Sequence, residues 1–507
     1  MKKLFIILIC CSGSYVHAQE VEQDSTKNYK KRVLESTEID LLMSMYSQDG
    51  QHSAVGGGIG SESLTDYTPT FVVSIPLSAD NVLTVDAGIS AYTSASSSNI
   101  NPFYDAVINN GVIQTGASRR GAAGPQSPAS GITDDDDDDD EYYNGNIGNG
   151  TPVGTPWMAS TGASRSDALA SLNVSYSHSS DDRNDIVSVN ASVSSEYDYR
   201  SVGFGASYTK LFNQQNTELS LKGSAFLDQW LVIYPTELHE YQRYGSNFLN
   251  RGYFNGVDVY DHNGAVAQNA YNPSNFNAVE GSNRNSYTVS LGFSQILTRN
   301  LQMSIFLDVI RQEGLLSTPY QRVYFADRAN YFVGQAEDIP MYTTRQNDGV
   351  FHLADDIERL PGTRMKVPLG MRLNYYVNQS ISLRTYYRYY QDDWGLSAST
   401  ASLEVPIKLG RKFTVYPSYR FYTQIQADYF APYDTHLSTE TYYTSDYDLS
   451  TFTSSGTGFG ISYTDIFTSL KIFKFGIKRV DLRYQNYSRS DGLRSNIVSF
   501  GLNFVAN

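Results

Sequence analysis

Between Thr363 and Ile425 apolar and polar residues alternate, strand after strand, and this pattern limits the fold more than any other feature of the chain. Met365, Val367, Leu369, Met371, Leu373 and Tyr375 share one face of a first strand, with Arg364, Lys366, Arg372 and Asn374 on the other. After a Val377-Asn378 turn, Ile381, Leu383, Tyr387 and Tyr389 oppose Ser382, Arg384, Tyr386 and Arg388. Two further strands repeat the pattern: Ala401 to Leu409 against Glu404 and Lys408, then Phe413 to Phe421 against Lys412 and Arg420. Consecutive strands of roughly ten residues or more, apolar on one face only, are the mark of a transmembrane barrel. Strands of a soluble sandwich alternate too, but average about 5–6 residues.

Applied to the whole chain, the same period predicts strands at 38–47, 67–77, 82–93, 167–178, 184–195, 199–210, 216–228, 285–297, 300–311, 363–376, 379–391, 397–408, 411–424, 456–464, 479–488 and 495–506. The expected fold is an all-β, antiparallel transmembrane barrel of about sixteen strands occupying 37–507. The long connections follow the first, third, seventh, ninth and thirteenth strands, so they share one rim, as long extracellular loops opposite short periplasmic turns would. Val498, Phe500, Leu502 and Phe504 give the last strand the aromatic-ended form that serves barrel insertion.

Composition excludes several alternatives. Mean hydropathy is −0.37 with 40 Tyr and 24 Phe, too polar for a helical membrane protein and too aromatic for disorder. Lys2 and Lys3 precede the apolar run Leu4–Cys11, and Val16-His17-Ala18 precedes Gln19, the form of a signal peptide over 1–18 followed by a periplasmic segment over 19–36. Eight apolar residues are too few to span the roughly 30 Å of a bilayer core. Cys10 and Cys11 both fall in that leader, so a mature chain would hold no disulfide, thiolate metal site or cysteine nucleophile. A net charge of −15 argues against nucleic acid as a partner and leaves membrane lipid as the expected one.

Tyr389-Tyr390-Gln391-Asp392-Asp393-Trp394-Gly395-Leu396, followed by a strand holding Glu404, resembles the core motif of the family catalogued as domain of unknown function 3570. Thr161-Gly162-Ala163-Ser164 with Asp167 and the Asp181-Asp182-Arg183-Asn184 hairpin is similar to its N-terminal part, and 416–433 to its later part. The resemblance implies an outer-membrane barrel. Members often accompany a small lipoprotein, a thioredoxin-like protein and a flavin-attaching transferase, which implies a lipoprotein or periplasmic redox partner. An aspartate run in this chain departs from the family pattern.

That run, Asp134, Asp135, Asp136, Asp137, Asp138, Asp139, Asp140 and Glu141, lies in the loop 94–166. It reads either as a solvated tract or as a weak divalent-cation site, without the Asp-x-Asp-x-Asp-Gly spacing of a preformed calcium loop. The run inflates the bulk negative charge, whereas the barrel wall carries the opposite sign. Arg364, Lys366, Arg372, Arg384, Arg388, Lys408, Lys412 and Arg420 share the polar face of four strands. If the apolar faces meet lipid, these cations line the lumen. They form either a structural ladder paired to acids such as Glu218, Asp228, Asp308 and Asp481, or an anion-favouring pathway or dock. Asp392-Asp393-Trp394-Gly395 is expected at a strand end, Trp394 in the aromatic belt and Gly395 in a tight turn. Two carboxylates can serve as acid and base, but the histidines are scattered and no nucleophile motif accompanies them, so no enzyme and no cofactor are expected. The chain reads as a porin-like barrel passing a small solute or holding an accessory subunit. The alternative is a non-conducting scaffold or surface-binding barrel.

Overall fold

Sixteen antiparallel strands close on themselves in the computed structural model. It describes residues 32–54, 57–93, 107–109, 112–114, 166–196, 199–230, 232–233, 279–280, 282–318, 321–327 and 356–506. The leader, the aspartate run and the Thr161–Ser164 motif lie outside the described residues.

The strands are β1 (Glu38–Asp49), β2 (Leu64–Pro76), β3 (Asn81–Thr93), β4 (Ser166–Ser179), β5 (Asp185–Ser195), β6 (Tyr199–Phe212), β7 (Thr217–Trp230) and β8 (Arg284–Thr298). They continue as β9 (Leu301–Gly314), β10 (Thr363–Tyr376), β11 (Ser382–Asp392), β12 (Ser397–Glu404, then Ile407–Leu409), β13 (Phe413–Val415, then Ser418–Ile425), β14 (Phe452–Thr464), β15 (Phe475–Arg489) and β16 (Arg494–Ala506). Pro406 and Pro417 cause the two interruptions: neither has an N–H to give the ladder, and they stand diagonally across the gap between the Glu404↔Ser418 and Ile407↔Val415 pairs. β1 pairs with β16 from Glu38↔Val505 to Asp49↔Arg494, which closes the ring. Every expected strand is present. β2, β14 and β15 begin three or four residues earlier than expected, at Leu64, Phe452 and Phe475, because ladder hydrogen bonds run on past the apolar stripe that periodicity detects.

Even-numbered strands end in short turns, the longest of which, 465–474, folds Lys471–Ile472 back onto Phe475–Gly476. The long connections follow β1, β3, β7, β9 and β13 and share the opposite rim. Across the wall Leu221, Leu291, Leu307, Leu369 and Tyr389 stand in one register row on the outer face. None of the described residues covers that apolar outer face, where Leu221, Leu291, Leu369 and Tyr389 are exposed, so hydrocarbon is the medium that matches it. The inner face is small and polar, and Gly370 marks a close approach: a Cβ there would lie 2.1 Å from the Phe306 ring. No helix among the described residues is long and apolar enough to cross a membrane.

A closed barrel offers detergent no strand edge to peel. Unheated protein in sodium dodecyl sulfate should therefore migrate faster than boiled protein, and identical mobility would contradict the closed ring.

Candidate functional site

Because side chains alternate across a strand, the even-numbered residues of β10, β11 and β13 point inward while Met365, Tyr387 and Tyr419 point out. Arg364, Lys366, Arg372, Arg384, Arg388 and Arg420 therefore face the lumen, as does Lys408 beside outward Leu409.

The eight cations divide by what they meet. Arg364 Nε donates to Asp392 Oδ2 at 2.9 Å, and its guanidinium lies 4.1 Å from the centre of the Trp394 ring. Arg384 bonds Glu404 at 2.8 Å, and Glu404 also takes Arg483 from β15 at 3.0 Å. Lys412, at the short-turn rim, donates to Asp465 at 2.8 Å. That lysine and the Ser469 hydroxyl hold the Asp465 carboxyl well below the usual carboxylate range. Arg372 instead lies between Phe306 and Tyr386, at 5.7 and 5.4 Å from their ring centres. Arg388 sits 5.9 Å from the Tyr390 ring with a buried Nε that has no acceptor. Lys366, Arg372, Arg388, Lys408 and Arg420 make no ion pair among the described residues. The expected acid partners differ from those found: Asp481 bonds Arg479, while Glu218, Asp228 and Asp308 pair with none of the ladder.

Asp392, Asp393, Trp394 and Gly395 form a knot. Asp392 accepts from Arg364, the Tyr390 hydroxyl at 2.7 Å, and the backbone N–H groups of Trp394 and Leu396 at 3.0 and 3.1 Å. Asp393 accepts from the Met365 N–H at 2.9 Å. Gly395 has φ of 83°, the left-handed turn the motif needs. Trp394 departs from its expected place in the lipid belt. It is 3% exposed, and its Nε1 donates to the Thr363 carbonyl at 3.0 Å. Loop side chains cover it: Leu316, Leu360, Ala427 and Leu449 join Trp394 and Leu396 in one buried cluster, against which inward-facing Tyr390 and Tyr422 pack. The described long-rim loops thus fold inward over β10–β14 as a cap.

Backbone bonds knit the cap together. Arg322 N–H donates to Ala54 at 2.8 Å, Glu358 N–H to Gln321 at 2.8 Å, and Arg359 and Tyr443 exchange bonds at 3.0 and 2.8 Å. His52 stacks on Tyr447 with ring centres 3.4 Å apart. Val323, Phe325 and Tyr443 form a second buried cluster. Glu358 lies beneath, accepting from Thr318 N–H at 2.7 Å and the Thr444 hydroxyl at 2.6 Å. Burial pushes its carboxyl up to about 7, and burial likewise raises Asp446. An acid with a raised folded pKa stabilises the fold in its protonated form, and that advantage drains away as pH climbs from about 4.5 to about 7. Amide exchange in 321–327 and 426–451, corrected for intrinsic rates, should accelerate across that window by up to about tenfold per pH unit. Glu358→Gln should flatten the response to the share left by Asp446. An unchanged profile would remove Glu358 as its source.

Sequence reasoning missed Arg483, though it shares the inner face of β15 with Asp481 and the same alternation reaches it. Glu358, His52 and Arg322 lie in aperiodic loops with no comparable signal. Among the described residues no three His, Asp or Glu side chains come together as metal ligands.

Three solved structures are similar in outline. A bacterial polysaccharide outer membrane secretin has 8% identity and a TM-score of 0.41, covering 95% of this chain and 100% of its own. The TodX monoaromatic hydrocarbon channel has 9% identity and a TM-score of 0.35, covering 92% and 89%. The siderophore receptor PirA from Acinetobacter baumannii has 11% identity and a TM-score of 0.37; 90% of this chain aligns to 54% of the receptor, so the chain spans about half its length. No curated protein matches the chain. The family described as protein of unknown function (DUF3570) matches over residues 7–490, and the chain belongs to that family.

Proposed function

We propose that the chain is a porin-like barrel of the outer membrane whose β10–β13 wall receives a small anionic solute or the acidic surface of an accessory subunit. The observation that carries this reading is the lumen set Arg372, Arg388 and Arg420, which make no ion pair among the described residues. Register places Arg372, Tyr386, Ser402 and Arg420 in one cross-strand row, with Arg388 two residues along from Tyr386. Arginine stacked on an aromatic ring keeps its fork of donors free for a carboxylate or phosphate. A non-conducting scaffold is favoured by the cap over the same wall, and a small lipoprotein or periplasmic redox protein is the partner such a scaffold would hold.

Reconstituted protein should pass anions in preference to cations at low salt. Reversing Arg372, Arg388 and Arg420 to Glu should shift the permeability ratio toward cations by about tenfold, less as salt rises. Channels of unchanged selectivity would eliminate the anion pathway. A silent barrel that loses a co-purifying protein in the triple variant would establish the scaffold.

A further inference from the structure

A second lumen feature, on the wall opposite in chemistry to the arginine row, owes nothing to that proposal. A cavity of about 470 Å³ opens at the long-loop end of β6–β9, lined by Tyr199, Asp228, Trp230, Arg284 and Gln312, with Glu196, which has partners of its own, at its edge. Its volume falls in the range of small-molecule sites. Asp228 and Arg284 flank the Gln229↔Asn283 bridge, which sets them directly across from each other on neighbouring strands. Opposite charges so placed ordinarily pair. Here they form no ion pair, and the Arg284 side chain makes no hydrogen bond among the described residues. The Asp228 carboxylate lies beside Tyr199, and its Oδ1 is buried without a donor. Nε1 of Trp230 is buried without an acceptor. Tyr199 and Trp230 stand edge to face, ring centres 5.4 Å apart, as an aromatic corner beside the carboxylate.

Buried polar atoms without partners are costly, and two beside one cavity mark it as a place for a polar ligand. A carboxylate oxygen that lacks a donor, beside aromatic rings, suits an ammonium group. An unpaired guanidinium suits a carboxylate. We infer that this cavity binds a small zwitterion carrying both an amine and a carboxylate, of amino-acid or dipeptide size, with the ammonium on Asp228 and the carboxylate on Arg284.

The test uses the full-length barrel in detergent and three probes: L-phenylalanine, its amide, which lacks the carboxylate, and its N-acetyl derivative, which lacks the ammonium. Binding is read by calorimetry and by Trp230 emission, with the heat-dependent gel shift certifying each variant as folded. Phenylalanine should bind at least about tenfold more tightly than either derivative, since each lost charge contact is worth about that factor. Asp228→Asn should erase the advantage over the N-acetyl probe, and Arg284→Gln the advantage over the amide. Equal binding of phenylalanine and its N-acetyl form would overturn the zwitterion assignment in favour of a simple anion site. Equal binding of the amide would make it a simple cation site. No heat with any probe, or unchanged selectivity in folded Asp228→Asn and Arg284→Gln, would show that the two charges serve the wall alone. Conductance enters none of these readouts, so the anion pathway and this site fail separately.

Discussion

Asp392→Ala should cost the cap about 3–5 kcal/mol, the usual penalty for stripping one partner from a buried pair. The Asp392 side chain is fully buried, and its loss leaves the Arg364 guanidinium, which is 12% exposed, without its counter-charge. It also orphans the Tyr390 hydroxyl and the N–H groups of Trp394 and Leu396. Trp394 emission, followed in a Trp157→Phe/Trp230→Phe background, should shift to the red at lower denaturant than in the parent. Asn at the same position keeps an acceptor and the shape and should lose less. A cost under about 1 kcal/mol for the alanine variant would mean that Arg364 finds another carboxylate, and the knot would lose its structural role.

Leu291→Arg should destabilise the barrel by about 2–4 kcal/mol in a bilayer, because it puts a charge on the outer face near mid-membrane. Leu291 is 48% exposed and sits between Leu221 and Leu307 in the outward row. The neighbouring Ser290 faces the lumen between Lys222 and Asp308, so Ser290→Arg is the control and should cost far less. Folding into vesicles, titrated with guanidinium, separates the two. Equal costs would reverse the assignment of inner and outer faces.

The wall was legible because each strand carries its own two-residue period, and a barrel repeats one rule sixteen times. Met365, Leu369 and Met371 announce their face without knowledge of any neighbour. The cap was not legible. Leu316 and Leu360 come from opposite ends of one long connection, Trp394 and Leu449 from two others, and nothing local says they share a core. Trp394 shows the cause of error: a tryptophan at a strand end fits an aromatic belt by position, and only the loops folded over it decide otherwise. On the basic face, alternation gives each cation its side of the strand but not its partner. Arg384 and Glu404 are cross-strand neighbours, while Arg483 reaches Glu404 from three strands further round. The Asp228–Arg284 opposition needs the register of β7 against β8 across a long connection, which periodicity does not supply.

The seam between β1 and β16 has a kinetic cost. Asn503 bonds Glu38 across 465 positions of chain, so a ribosome delivers one edge of the ring long before its mate exists. Until the two meet, β1 is an unpaired template that any extended peptide can join. In the outer-membrane location proposed above, the ring is finished only after export, and the chain has to travel as an open, sticky ribbon. Its mean hydropathy of −0.37 is what makes the journey feasible. Apolarity that alternates with serine, arginine and asparagine never accumulates into a segment that would lodge in the first membrane it crosses. It becomes a continuous greasy surface only when the strands stand side by side.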